Sequence, residues 1–330
     1  MGEVIMSVNQ SGMERFGQID LHLHLDGSLS AGTIRKLAQR EHVALPADTD
    51  EGLRSFLTAE PGCESLNEYL KCFDLPLAVL QTKENLSLAA YELGRELAQK
   101  GICYAEIRFA PQLHTRKGLT QEEAVTAVLL GLHKAKEGQE GFALRAILCC
   151  MRGEGVHEAN RETVRIASRY LEDGVVAADL AGAEALYPTG DFAEEFRYAR
   201  SLGVPFTIHA GEAAGPESIW RALELGAVRI GHGVRAVEDD RLMEELARRG
   251  TVLEMCPTSN LQTKAVRSLS EYPLREYLDR GIKVTVNSDN MTVSDTWAGK
   301  EFALLSREYG LTEEEAGKLL ANARKAAFGM

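Results

Sequence analysis

No stretch of this 330-residue chain stays apolar for the ~18 residues or more that a membrane-crossing helix needs, and a secretory leader is not expected. Residues 1–17 mix Met, Ser, Gly and charged groups, and they are expected to form a ragged N-terminal extension. Cysteine is sparse: six residues, at 63, 72, 103, 149, 150 and 256, make no Cys-x-x-Cys pair. That spacing argues against a disulfide framework and for a reduced, cytoplasmic protein. Positive charge is in deficit, with 37 Lys and Arg against 49 Asp and Glu and a net charge of −12. Nucleic-acid binding relies on clustered cations, so a nucleic acid is not expected as partner, nor is a membrane surface. There is no Gly-x-Gly-x-x-Gly after the first strand and no Gly-x-x-x-x-Gly-Lys-Ser/Thr anywhere, which weakens the open-sheet nucleotide-binding folds.

What remains is an ordinary globular composition, 45% hydrophobic and 26% charged, with ample material for a core. Gln-Ile-Asp-Leu-His-Leu-His-Leu-Asp, residues 18–26, alternates with period 2 and predicts a strand. That period puts His22 and His24 on one face, about 6 to 7 Å apart along the chain at ~3.3 Å per residue. A helix over 30–43 follows, with Ser30 as its N-cap. Residues 48–100 contain no strand-like run and read as an all-helical insertion after strand 1.

From there a strand-then-helix unit repeats. Strands are expected at 103–111, 144–151, 175–180, 206–209, 229–231, 252–255 and 283–286, and the helix after the second opens on the capping box Thr120-x-x-Glu123. Eight units are the count for a closed parallel (β/α)8 TIM barrel in one domain, an α/β fold, rather than an open doubly wound sheet.

Barrel chemistry sits where strands end at their C-terminal side. Strand 1 ends in His22, His24 and Asp26, strand 5 in His209 and Glu212, strand 6 in His232, and strand 8 in Asp289 and Asn290. The other histidines, His42, His114, His133 and His157, fall on predicted helices or loops and are assigned to the surface. Three imidazoles and a carboxylate, His22, His24, His209 and Asp289, suit one divalent ion, zinc by default, with room for a water of lowered pKa. His232 is then available as base or electrostatic partner to that water, and Glu212 as acid. Strand 4 ends in Asp179-Leu180-Ala181-Gly182 without a lysine that could bridge two metals, which favours a single ion.

In this order the motifs His22-Leu23-His24-Leu25-Asp26-Gly27, Asp179-Leu180-Ala181-Gly182, His209-Ala210-Gly211-Glu212, Gly231-His232-Gly233, Cys256-Pro257-Thr258-Ser259-Asn260 and Asn287-Ser288-Asp289 closely resemble the adenosine/AMP deaminase family of the amidohydrolase superfamily, from about residue 18 to the last helices. The resemblance implies a barrel with one zinc on His22, His24, His209 and Asp289, and hydrolytic deamination of adenosine, and of 2′-deoxyadenosine, to the inosine form and ammonia. It also implies that Glu212 protonates purine N1, that His232 orients or deprotonates the water, and that Asp26 and Gly182 contact the ribose and N3, with His24 beside the nucleoside. Segment 48–100, around Leu66, Tyr69 and Phe73, would be the lid. Asn290 stands where many members carry a second aspartate against N7; its NH₂ can still donate there, and another aminopurine, such as adenine or a modified adenosine, is the alternative substrate. The His-x-Glu and Pro-Cys-x-x-Cys signature of base-flipping deaminases is absent, and a non-catalytic barrel is disfavoured because no ligand nor Glu212 is missing.

Overall fold

The computed structural model describes residues 18–60 and 62–330; the extension expected over residues 1–17 lies outside them. Eight strands run parallel: β1 (Gln18–His24), β2 (Ile102–Phe109), β3 (Ala143–Met151), β4 (Val175–Ala181), β5 (Thr207–Ala210), β6 (Arg229–His232), β7 (Val252–Met255) and β8 (Lys283–Val286). They form two four-stranded sheets in sequence order, β1 to β4 and β5 to β8. Short bridges join the sheets at both edges. The Ala178 N–H donates to the Pro205 carbonyl at 3.0 Å, while the His24 N–H reaches the Asp289 carbonyl at 2.7 Å and the Asp289 N–H the His22 carbonyl at 2.8 Å. The eight strands therefore follow one another round a ring, with helices packed outside, which is the expected barrel architecture.

Local signals decided the elements much as read. Ser30 accepts the Thr33 N–H ahead of helix Ala31–Glu41, and the capping box of Thr120 and Glu123 opens helix Gln121–Lys136. Between β1 and β2 every element is helical, from Asp50–Leu57 to Lys83–Gln99. The first strand ends at His24 rather than Asp26, because the chain turns there into a 3-10 turn, Asp26–Ser28.

The barrel interior holds a column of paired charge as well as apolar side chains. The Arg229 guanidinium donates to Glu254 Oε1 at 2.5 Å and Glu106 Oε2 at 2.6 Å; the Arg108 guanidinium donates to Glu254 Oε2 and Asp179 Oδ2, both at 2.9 Å. All five side chains are buried. At the lower end the Phe328 N–H donates to Glu106 Oε1 at 2.6 Å, and the Phe328 ring lies 3.9 Å from the Arg229 guanidinium. At the upper end the column meets the histidines. Full burial of charge is tolerable only with such close pairing to opposite charge.

One surface assignment is overturned. His114 is wholly buried, with Nδ1 2.8 Å from the Leu80 carbonyl, because Pro111–His114 forms a 3-10 turn that tucks the ring under the helical segment. His42, His133 and His157 are exposed, as assigned. Among the described residues no helix is long and apolar enough to cross a membrane.

Candidate active site

Period-2 alternation in β1 turns both His22 and His24 inward, and β5 contributes His209 from the facing sheet. Asp289 follows β8 with φ +59° and His232 ends β6 with φ +61°. Left-handed backbone at a non-glycine residue costs of order 1–3 kcal/mol and is held only where the surroundings enforce it. Here those turns aim two functional side chains at the barrel axis.

The histidines are oriented from behind. His22 Nδ1 lies 2.8 Å from Glu254 Oε2 and His209 Nδ1 2.9 Å from Asp179 Oδ2, so each ring donates from Nδ1 and keeps the Nε2 lone pair free. His22 Nε2 is buried with no hydrogen-bond partner. His24 Nε2 and His209 Nε2 are 3.2 Å apart, and Asp289 Oδ1 is 3.5 Å from both His22 Nε2 and His24 Nε2. Four donors around an ion at ~2.0–2.1 Å would be separated by about 3.3 Å in a tetrahedron, so the set fits a single zinc-sized cation.

His232 also falls within this cluster: donor atoms of His22, His209, His232 and Asp289 all lie within 4.8 Å of one another. Its proton placement sets it apart. Asn260 Oδ1 accepts from the Cys256 N–H at 3.3 Å and the Tyr272 hydroxyl at 3.2 Å, which turns the Asn260 NH₂ toward His232 Nδ1 at 2.9 Å. An Nδ1 that accepts leaves the proton on Nε2, facing Glu212 Oε2 at 3.5 Å. The ring thus presents an N–H to the site where His22 and His209 present lone pairs.

Electrostatics agree with cation binding. Burial, aided by neighbouring positive charge, holds His24 and His232 well below the ordinary histidine value and lowers His209, leaving imidazoles neutral. At His22 burial and Arg108 pull the same way but the carboxylates of Asp289 and Glu254 outweigh them, so its net direction is upward. For Asp289, burial is outweighed by His22 and the other histidines, which keep it ionised. Glu212 runs opposite: burial first, then the charges of Asp289 and Glu184, push its carboxyl up to about 8, against a hydrogen bond from the Thr263 hydroxyl at 3.0 Å. Burial thus favours its protonated form.

These groups floor a cavity of about 230 Å³. Asp26, Gly182 and Asn290 stand on its walls, and Leu66, Tyr69 and Phe73 of the helical segment lie over it. Asp26 Oδ1 and Asn290 Oδ1 are buried without partners, and burial raises Asp26 to about 6. Gly182 sits at φ +106°, a conformation open to glycine, so backbone lines that wall. All nine residues singled out from the sequence therefore meet at one cavity except His22, which lies directly beneath it. Asp179 appeared in the sequence only within a motif, and Glu184, Glu254, Asn260 and Thr263 carried no assignment. Glu254 and Arg229 were nonetheless marked by charge inside short apolar strands.

A family model described as adenosine deaminase matches residues 18–329. The chain belongs to the adenosine deaminase family. A relative of that name from Haemophilus ducreyi is 53% identical over 320 residues, 96% of this chain and 93% of that protein. Another from Enterococcus faecalis is 41% identical, covering 97% and 94%. Among solved structures, an adenine deaminase from Arthrobacter aurescens matches with TM-score 0.85 and 28% identity over 95% of this chain and 94% of that one. The N6-methyl-AMP deaminase of Arabidopsis thaliana matches with TM-score 0.84 and 25% identity over 98% and 95%. The family comprises metal-dependent amidohydrolases, enzymes that hydrolyse C–N bonds, and the His/Asp cluster is where this member could hold its ion.

Proposed function

We propose that this chain hydrolytically deaminates adenosine and 2′-deoxyadenosine to the corresponding inosine and ammonia, with one zinc held by His22, His24, His209 and Asp289. When bound, the ion supplies Lewis acidity that makes water nucleophilic at neutral pH. The observation that carries the reading is Glu212: a buried carboxyl kept protonated on the wall of the same cavity that the four donors floor. As water adds to C6 of the purine, that carboxyl gives its proton to N1, and the ring nitrogen takes up the displaced electron pair. The Nε2–H of His232 orients the attacking water. Asp26 accepts from the ribose, backbone at Gly182 meets N3, and the NH₂ of Asn290 donates to N7. The helical segment 48–100 acts as the lid of a single catalytic domain, excluding water through Leu66, Tyr69 and Phe73.

A nucleoside fits better than a nucleotide, because none of the residues lining the cavity is a lysine or arginine to receive a phosphate. The six free cysteines suit a reducing compartment, and we place the enzyme in the cytoplasm. The purified protein should turn over adenosine far faster than adenine or AMP. Glu212→Gln should bind adenosine but lose about 10²-fold or more of kcat. Retention of more than about a tenth of turnover would remove Glu212 from the reaction.

A further inference from the structure

Behind the proton donor lies a buried carboxylate that the proposed chemistry does not use. Glu184, 2% exposed, follows β4 in the loop that carries Gly182. Its Oε1 accepts the Gly211 N–H at 2.8 Å and the Ser218 hydroxyl at 2.5 Å; its Oε2 accepts the N–H groups of Glu212 at 3.0 Å, Ala213 at 2.7 Å and Ala214 at 3.1 Å. Four consecutive backbone donors converge on one side chain from another loop, and the two oxygens are filled by acceptor contacts alone. The cluster continues through the Thr189 hydroxyl, 2.8 Å from Ser218 Oγ, to Arg152, which donates to Thr189 Oγ1 at 3.0 Å and the His209 carbonyl at 2.6 Å.

The backbone of Glu212 is thereby pinned on both sides. Its N–H is held by Glu184 and its carbonyl accepts from Arg235 Nε at 3.2 Å, so the carboxyl has little freedom beyond its own rotamers. Because Gly182 lies two residues before Glu184, the same side chain ties the wall assigned to purine N3 to the donor assigned to N1, two atoms of one ring.

We propose that Glu184 is a positioning residue for the deamination: by gathering the N–H groups of residues 211–214 it sets the distance between the Glu212 carboxyl and the wall at Gly182, and so the placement of the proton on N1. The inference rests on the role proposed for Glu212. A misplacement of about 1 Å costs on the order of 10²-fold in rate.

The test is a double-mutant cycle on zinc-loaded protein, with kcat and adenosine KM read separately. Glu184→Gln keeps the volume but turns an NH₂ toward N–H donors that need an acceptor. It should lower kcat at least about tenfold while KM changes by less than about threefold. In the E212Q background the same substitution should lower the residual kcat by less than about twofold. Ser218→Ala, which removes one donor outside the cavity, should show the same pattern at about three- to fivefold, and it carries the comparison if Glu184→Gln does not fold. An equal loss in both backgrounds would make Glu184 a merely structural group and overturn the proposal with the role of Glu212 intact. Unchanged kcat in folded single variants would overturn it too. If E212Q itself keeps its turnover, the fault lies with the proton-donor assignment.

Discussion

Glu254→Gln is the perturbation that asks most of the structure. One carboxylate serves three donors, His22 Nδ1 at 2.8 Å, Arg108 at 2.9 Å and Arg229 at 2.5 Å, and all of them are buried. An amide of the same shape has one acceptor oxygen. If that oxygen stays with His22 and Arg108, the NH₂ confronts Arg229; if it turns to Arg229, the NH₂ confronts His22 and the imidazole loses the contact that fixes its proton on Nδ1. Either arrangement leaves a guanidinium short of a counter-charge, a defect worth about 3–5 kcal/mol when one member of a buried pair is removed. Loss of a partner behind a metal-binding histidine typically lowers metal affinity 10–100-fold, about 1.4–2.7 kcal/mol. Competition with a chromophoric chelator would give the zinc affinity, and guanidinium unfolding of the metal-free protein would give the stability. Zinc affinity within about twofold of the parent would refute the argument that Glu254 orients His22.

Four further outcomes are expected. Removing the ion by chelation should abolish turnover, and zinc alone should restore it, at one ion per chain by elemental analysis. Because the protonated form of Glu212 is the active one, kcat/KM should decline as pH rises through about 8. The same group affects stability: raised from 4.5 to about 8 in the fold, it adds no penalty below pH 4.5 and a growing one as pH climbs to about 8. Glu212→Gln should therefore become more stable than the parent across that window, by up to several kcal/mol, and parallel curves of Tm against pH would contradict this. Gly27→Ala would bring a Cβ within 1.8 Å of Asn290 Oδ1, so Asn290 must swing aside; adenosine KM should rise about tenfold, in line with ~1–3 kcal/mol for an overpacked site.

The reacting rim was legible in the sequence because a parallel barrel gathers its strand ends in one place, and four of those ends carry histidine or carboxylate. His24, His209, Glu212 and Asp289 could be placed together from topology alone. Their supports could not. Glu184 meets Ser218 across 34 residues, and His22 meets Glu254 across 232, so neither contact leaves a periodic trace. A charge between apolar neighbours, as at Arg108, Arg229 or Glu254, announces burial with a partner but not which partner. His114 misled for the opposite reason. A histidine in a polar loop reads as exposed, and only the return of the chain at Leu80 supplies the carbonyl that lets it go inside.

The column of charge beneath the histidines has a consequence for electroneutrality. Asp179, Glu254 and Asp289 are all held toward the ionised form, and Arg108 and Arg229 stand beside them as cations, so carboxylates outnumber guanidinium groups beneath the histidines. A divalent cation would add to the positive side of that balance; without it a proton is the substitute, and His22, whose affinity for one is raised, is where the first would settle. Loading the metal and expelling protons are then a single exchange. The proposed ion would then serve as a counter-charge to the carboxylates inside the barrel, so that zinc and acid should act on the stability of the fold as well as on the reaction.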